Sequence, residues 1–165
     1  IWKYLGVDKT TARAASENDQ NYIIYRLADV LLMKAEALIM QGHNEDAADL
    51  IDRTRERAGL GETTLSDDRM VMLETLLVER QKEFFGEGKN WFDLLRIGLR
   101  SEQLNDTQYK TLFVEQALKA VGASRQSLGR ATLANSGSWY LPYSEDELSK
   151  NPLLEQSDYY QSISN

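Results

Sequence analysis

Cysteine is absent from this 165-residue sequence, and histidine occurs once. The first absence excludes disulfides, thiolate metal sites and a cysteine nucleophile; it says little about compartment, since disulfide-free proteins occur everywhere. With a single histidine, a metal site would have to be built mainly from carboxylates, and no loop has the D-x-D-x-D-G spacing of a calcium loop. No apolar run approaches the ~20 residues of a membrane-spanning helix. The longest apolar-leaning stretch, Leu27 to Met40, is interrupted by Asp29, Lys34 and Glu36. Clustered positive charge is also missing. The 19 Lys and Arg are mixed among 26 Asp and Glu, for a net charge of −7. That balance argues against nucleic acid as a partner, because phosphate recognition needs grouped cations, and against unaided adhesion to anionic lipid. Strand-like alternation is not sustained anywhere. The fold class expected is therefore all-α: a helical bundle in a single domain over residues 1–165.

What the sequence does have is helical period and punctuation. A helix is predicted from Tyr22 to Gln41, with Tyr22, Tyr25, Leu32 and Ile39 on one buried face, Ala28 and Ala35 admitting a neighbour, and Asn18 or Asp19 as N-cap. Gly42 supplies the αL stop. Asn44 is then the expected cap of a second helix reaching Ala58, with Glu45 and Asp46 in its positive first turn and Ala47, Ala48, Leu50, Ile51 and Thr54 as its apolar-leaning stripe. The two-residue Gly42-His43 connection makes the pair, about residues 21–58, an antiparallel hairpin. A third helix fits Asp67–Phe85, capped by Ser66 and stopped at Gly86, with Met70, Leu73, Leu76, Leu77, Phe84 and Phe85 inward. A short one fits Asn90–Ile97, ending at Gly98 with Trp91 in the core, and another fits Gln108–Val121, facing inward with Leu112, Val114, Ala117, Leu118 and Val121. Residues 123–137 are small and polar and read as a loop. Trp139-Tyr140-Leu141-Pro142 reads as extended, because a residue before Pro avoids the helical region. Ser144 and Glu147 form a capping box. This irregular C-terminal segment closes with a polar, frayed tail after Tyr160.

Ala35, Gly42, Glu45 and Ala47 fall where a tetratricopeptide hairpin places them, a spacing that any antiparallel helix hairpin also satisfies. Only one copy is clear, whereas a free-standing solenoid needs about three.

Glu79 and Glu83, one turn apart, share a helix face and could serve paired-carboxylate chemistry. The competing reading is a salt-bridge network in which Arg80 and Arg96, with Asp93, fix the Trp91 segment on the third helix. That reading is preferred, because a basic residue stands beside each acid and nothing supplies a nucleophile or metal ligand. Arg26, Asp29 and Glu36 are read in the same way. His43 is expected as a solvated turn residue. Gly86-Glu87-Gly88-Lys89 lacks the preceding strand and the spacing of a phosphate loop, and Glu87 would repel phosphate. Trp2, Tyr4, Trp139, Tyr140, Tyr143, Tyr159 and Tyr160 lie in irregular regions where a ring could face a sugar, but each is more often a packing residue. No ligand-binding, catalytic or metal-binding residue is nominated.

Several blocks in order carry a family resemblance: Tyr25-Arg26-Leu27-Ala28-Asp29-Val30-Leu31-Leu32-Met33-Lys34-Ala35-Glu36-Ala37, then Ile51-Asp52-Arg53-Thr54-Arg55-Glu56-Arg57-Ala58-Gly59. The most specific is the signature block, about residues 77–96, which contains Glu79-Arg80-Gln81-Lys82-Glu83-Phe84-Phe85-Gly86-Glu87-Gly88-Lys89-Asn90-Trp91-Phe92-Asp93-Leu94-Leu95-Arg96. Leu141-Pro142 and Asn151-Pro152-Leu153-Leu154-Glu155-Gln156 follow. This order resembles the C-terminal portion of the SusD/RagB family. The resemblance implies a helical, tetratricopeptide-like scaffold without enzymatic activity or cofactor. It implies binding of glycan or another nutrient and delivery to a TonB-dependent, SusC-like transporter at the external face of the outer membrane. It also implies a lipid anchor and a large N-terminal region outside this chain, which opens Ile1-Trp2-Lys3 and is expected to be a shortened piece. The alternative function is a tetratricopeptide-type protein–protein interaction scaffold. A hydrolase using Glu79 and Glu83 is the third.

Overall fold

The structure is a computed structural model and describes residues 22–163. All regular structure among them is helical. The chain divides after Asp93 into two compact units.

The first unit is built on α1 (Leu27–Gln41), α2 (Asn44–Arg57) and α3 (Arg69–Glu83), each in contact with the other two. Leu32, Ala35 and Ile39 of α1 are fully buried with Ala47 and Ile51 of α2 and Met72, Leu73 and Leu76 of α3. Burying a side chain of Leu, Ile or Met size stabilises the fold by about 1.5–3 kcal/mol, so this apolar stripe holds the three helices together. The hairpin turn forms as its sequence requires. Gly42 has φ 83°, and its neighbours close the α1 terminus through Gly42 N–H to Ile39 O (3.1 Å) and His43 N–H to Leu38 O (2.9 Å).

Four local expectations are corrected here. Helix α1 begins at Leu27, not Tyr22, and the segment 22–26 is not helical; Tyr22 and Tyr25 are mostly exposed rather than on the buried face. The proposed caps Asn18 and Asp19 lie outside the described residues. Asn44 does not cap α2. His43 holds that position, while the Asn44 side chain donates to Ser66 O (2.9 Å). That bond belongs to a longer arrangement in which the loop after α2 runs back along the helix. Arg55 Nε donates to Gly61 O (2.7 Å), and Asp52 accepts from Thr63 N–H (2.7 Å). The cap of α3 is Asp68, whose carboxylate accepts from Met70 N–H (2.7 Å), while Ser66 Oγ accepts from Asp68 N–H one step earlier. Phe85, expected in the core, faces solvent in the turn after α3; Met72, not foreseen, is fully buried.

Helix α4 (Asn90–Leu104) runs past Gly98 instead of ending there. In the second unit, which starts at Leu94, that glycine is a point of close packing. A Cβ on Gly98 would lie 3.0 Å from both the Phe113 and Trp139 rings. Those rings pack at 4.4 Å between centroids and form the core with Ile97, Tyr109, Leu112 and Leu118. Helix α5 (Thr107–Leu118) is capped by Asp106, which accepts from Gln108 N–H (3.0 Å).

The expected loop over 123–137 is instead α6 (Ala123–Leu133) followed by a 3-10 turn (Ser136–Trp139). Its small residues are what the packing needs: a Cβ on Gly129 would meet the Leu118 side chain at 2.5 Å. Trp139, expected on extended backbone and as a packing residue more often than a sugar-facing one, is 2% exposed in the 3-10 turn, and its indole N–H donates to Leu133 O (3.0 Å). Tyr140 then takes up the extended backbone expected ahead of Pro142. Ser144 caps α7 (Glu145–Lys150) through Glu147 N–H (3.2 Å), and α8 (Asp158–Ile163) follows. The stretch between these helices is tied by side chains, since Gln156 bonds Tyr143 N–H and C=O and the Tyr160 hydroxyl donates to Tyr140 O (2.7 Å).

Candidate functional site

The residues of the signature block converge on a buried ion network in the first unit. Near the end of α3, Arg80 is 3% exposed. It grips Asp93 with Nε and Nη2, both at 2.8 Å, and the same Nη2 reaches Asp29 on α1 at 2.9 Å. Asp29 also takes Lys89, whose ammonium donates to Ile24 O (2.6 Å) and stands 4.9 Å from the centre of the Tyr25 ring. Arg26 contacts Glu83 and Glu87, and its guanidinium lies 4.7 Å over the Phe84 ring. Arg57 contacts Glu83 at 2.6 Å, and Arg55 contacts Glu79 at 3.1 Å. Each of these bonds involves an ionised partner, and such bonds are about twice as strong as neutral ones.

The electrostatics follow from the partners. Burial by itself would raise the Asp29 carboxyl, but the hydrogen bonds and charges of Lys89 and Arg80 outweigh it and hold the group below the ordinary carboxylate range. Burial likewise disfavours the charge on Arg26, and bonds from Glu87 and Glu83 reverse the effect, so its pKa is raised. Arg80 Nη1 is buried with no hydrogen-bond partner among the described residues, although the guanidinium also faces the Phe84 ring at 4.9 Å.

Glu79 pairs with Arg55 and Glu83 with Arg26 and Arg57, while Arg80 holds Asp93, so a salt-bridge network of the expected kind is present with other partners for the two glutamates. Arg26 and Asp29, read as members of such a network, each reach residues far along the chain. Gly86 and Gly88, at φ 80° and 72°, turn the chain so that Glu87 points inward at 2% exposure, to be met by Arg26. Glu87 and Lys89 were missed as structural residues. The signal for them was present in a glutamate and a lysine flanking a glycine in the most specific block. Trp91, expected in the core, is 40% exposed.

Elsewhere in the first unit a depression of about 500 Å³ lies between α2 and the loop after it, lined by Asp49, Asp52, Arg53, Glu56, Leu60, Gly61 and Glu62. It is acidic and has no ring in its wall. His43 is exposed in its turn, as expected. Among the described residues no group of three or more His, Asp or Glu is placed to hold a metal ion. Of the aromatic residues set aside as packing or sugar-facing, Trp139 is core and Tyr140 and Tyr143 are about half exposed; Trp2 and Tyr4 lie outside the described residues.

Comparison with known proteins agrees with this geometry. The sequence model of the SusD family matches residues 2–160. A SusD-like protein of Formosa agariphila is 37% identical over 89 residues, which are 49% of this chain and 18% of that protein. Another from the same organism is 29% identical over 161 residues, 96% of this chain and 27% of the other. The crystal structure of a SusD superfamily protein from Bacteroides fragilis superposes with a TM-score of 0.60 at 29% identity, covering 83% of this chain and 28% of that one. This chain thus spans between 18% and 28% of the length of these proteins.

Proposed function

Since the chain belongs to the SusD family, we propose that it is the C-terminal helical portion of a nutrient-binding protein of the outer-membrane surface. In this reading the whole protein is held by a lipid anchor outside this chain, captures glycan or another nutrient by equilibrium binding, and passes it without bond chemistry to a TonB-dependent, SusC-like transporter. The observation that carries the reading is the family match over residues 2–160, within which the signature residues Arg80, Glu87, Lys89 and Asp93 lock α1, α3 and the start of α4 together. Their role is to fix a scaffold, and the scaffold supports binding elsewhere in the protein.

The test is affinity purification of the intact gene product from outer membranes in mild detergent. A TonB-dependent barrel is expected to co-elute in stoichiometric amount. Soluble protein partners in its place would overturn the transport reading.

One observation favours a second reading for this portion. The depression on α2 is acidic and without aromatic residues, whereas sugar sites combine flat rings with convergent polar groups. The helices of this chain would then act as a tetratricopeptide-like surface for protein partners. Isothermal titration of the intact gene product with a panel of glycans separates the two readings, heat of binding favouring the first and its absence the second.

A further inference from the structure

We draw no further inference here: the strongest candidate, the acidic depression of about 500 Å³ between α2 and the loop after it, is a cluster of carboxylates from Asp49, Asp52, Glu56 and Glu62 with nothing among the described residues that points to a ligand.

Discussion

In the first unit, Asp29, Glu36, Glu79, Arg80, Glu87 and Asp93 are buried among the apolar side chains. From Leu94 onward the buried residues are apolar or aromatic, Leu94, Ile97, Tyr109, Leu112, Phe113, Leu118 and Trp139, with no buried charge among the described residues. In the second unit, Arg130 with Glu115 and Lys150 with Asp146 pair at the surface. The contrast shows two ways of making one arrangement unique. Apolar burial supplies most of the stabilisation but is non-directional. A buried ion pair contributes little net stability, yet leaving one partner behind is costly, so it penalises every arrangement except the one that satisfies it.

The largest test of this contrast compares Arg80→Ala with Trp139→Ala. Arg80→Ala takes the two-point partner from Asp93 and one of two cations from Asp29, and is expected to cost about 3–5 kcal/mol. Trp139→Ala opens a cavity against Phe113 and is expected to cost a similar amount, about 3–5 kcal/mol. Denaturant titration measures both. The difference lies in the rescue: Arg80→Met combined with Asp93→Leu should recover most of the loss, because uncompensated charge causes it and Asp29 keeps Lys89. If the double variant is as unstable as Arg80→Ala, the network stabilises more than it specifies.

Acid sharpens the contrast next. The folded Asp29 carboxyl titrates below its ordinary range, so its contribution is complete above the unfolded value of about 4. It is lost as pH falls through the lower folded value, where both states become protonated. Hydrogen exchange followed as pH falls below about 4 should show amides of α1 and the end of α3 losing protection before those of α5. Equal loss in both would remove the distinction.

Two glycines give smaller effects. In Gly98→Ala the new methyl meets rings that cannot retreat, both being almost fully buried. Overpacking of about 1–3 kcal/mol then exceeds the helix-propensity gain of about 1 kcal/mol. Gly42→Ala has open space and pays only for its left-handed backbone at φ 83°, about 1 kcal/mol. Thermal melts of the two variants should rank in that order. Smallest of all, Glu115→Gln removes a solvent-screened pair and should leave the melting temperature within experimental scatter.

Legibility in the sequence followed the range of the interactions. Gly42, the Ser144 cap and the stripe Ala47, Ala48, Ile51 and Thr54 depend on neighbours within one or two turns and are where the sequence placed them, while Leu50 of the same expected stripe is half-buried. The late start of α1 was not legible, because Arg26 is committed to Glu83 and Glu87, about sixty residues away. Helix α6 was hidden for a similar reason. Gly129 and its small neighbours look like loop until Leu118 is brought against them. Trp91, expected in the core, is 40% exposed, since an apolar local period says which face is apolar but not which part of it another segment covers. The ion network itself was legible in kind, as acids beside bases in the 77–96 block, and illegible in its partners.

The separation of those partners along the chain has a kinetic consequence. Arg80 and Asp29 are 51 positions apart, Lys89 and Asp29 are 60, and Arg26 and Glu87 are 61. The α1–α2 turn, by contrast, joins residues that are almost adjacent. Closing a long loop costs entropy before its contacts repay it, and stripping water from an ion before its partner arrives costs more. The helices should therefore meet first through Leu32, Ile51 and Leu73, with the ions locking after the folding barrier has been crossed. Interactions made on that side of the barrier set the rate at which the native state opens, not the rate at which it forms. The buried charges then govern how long the folded state persists once made.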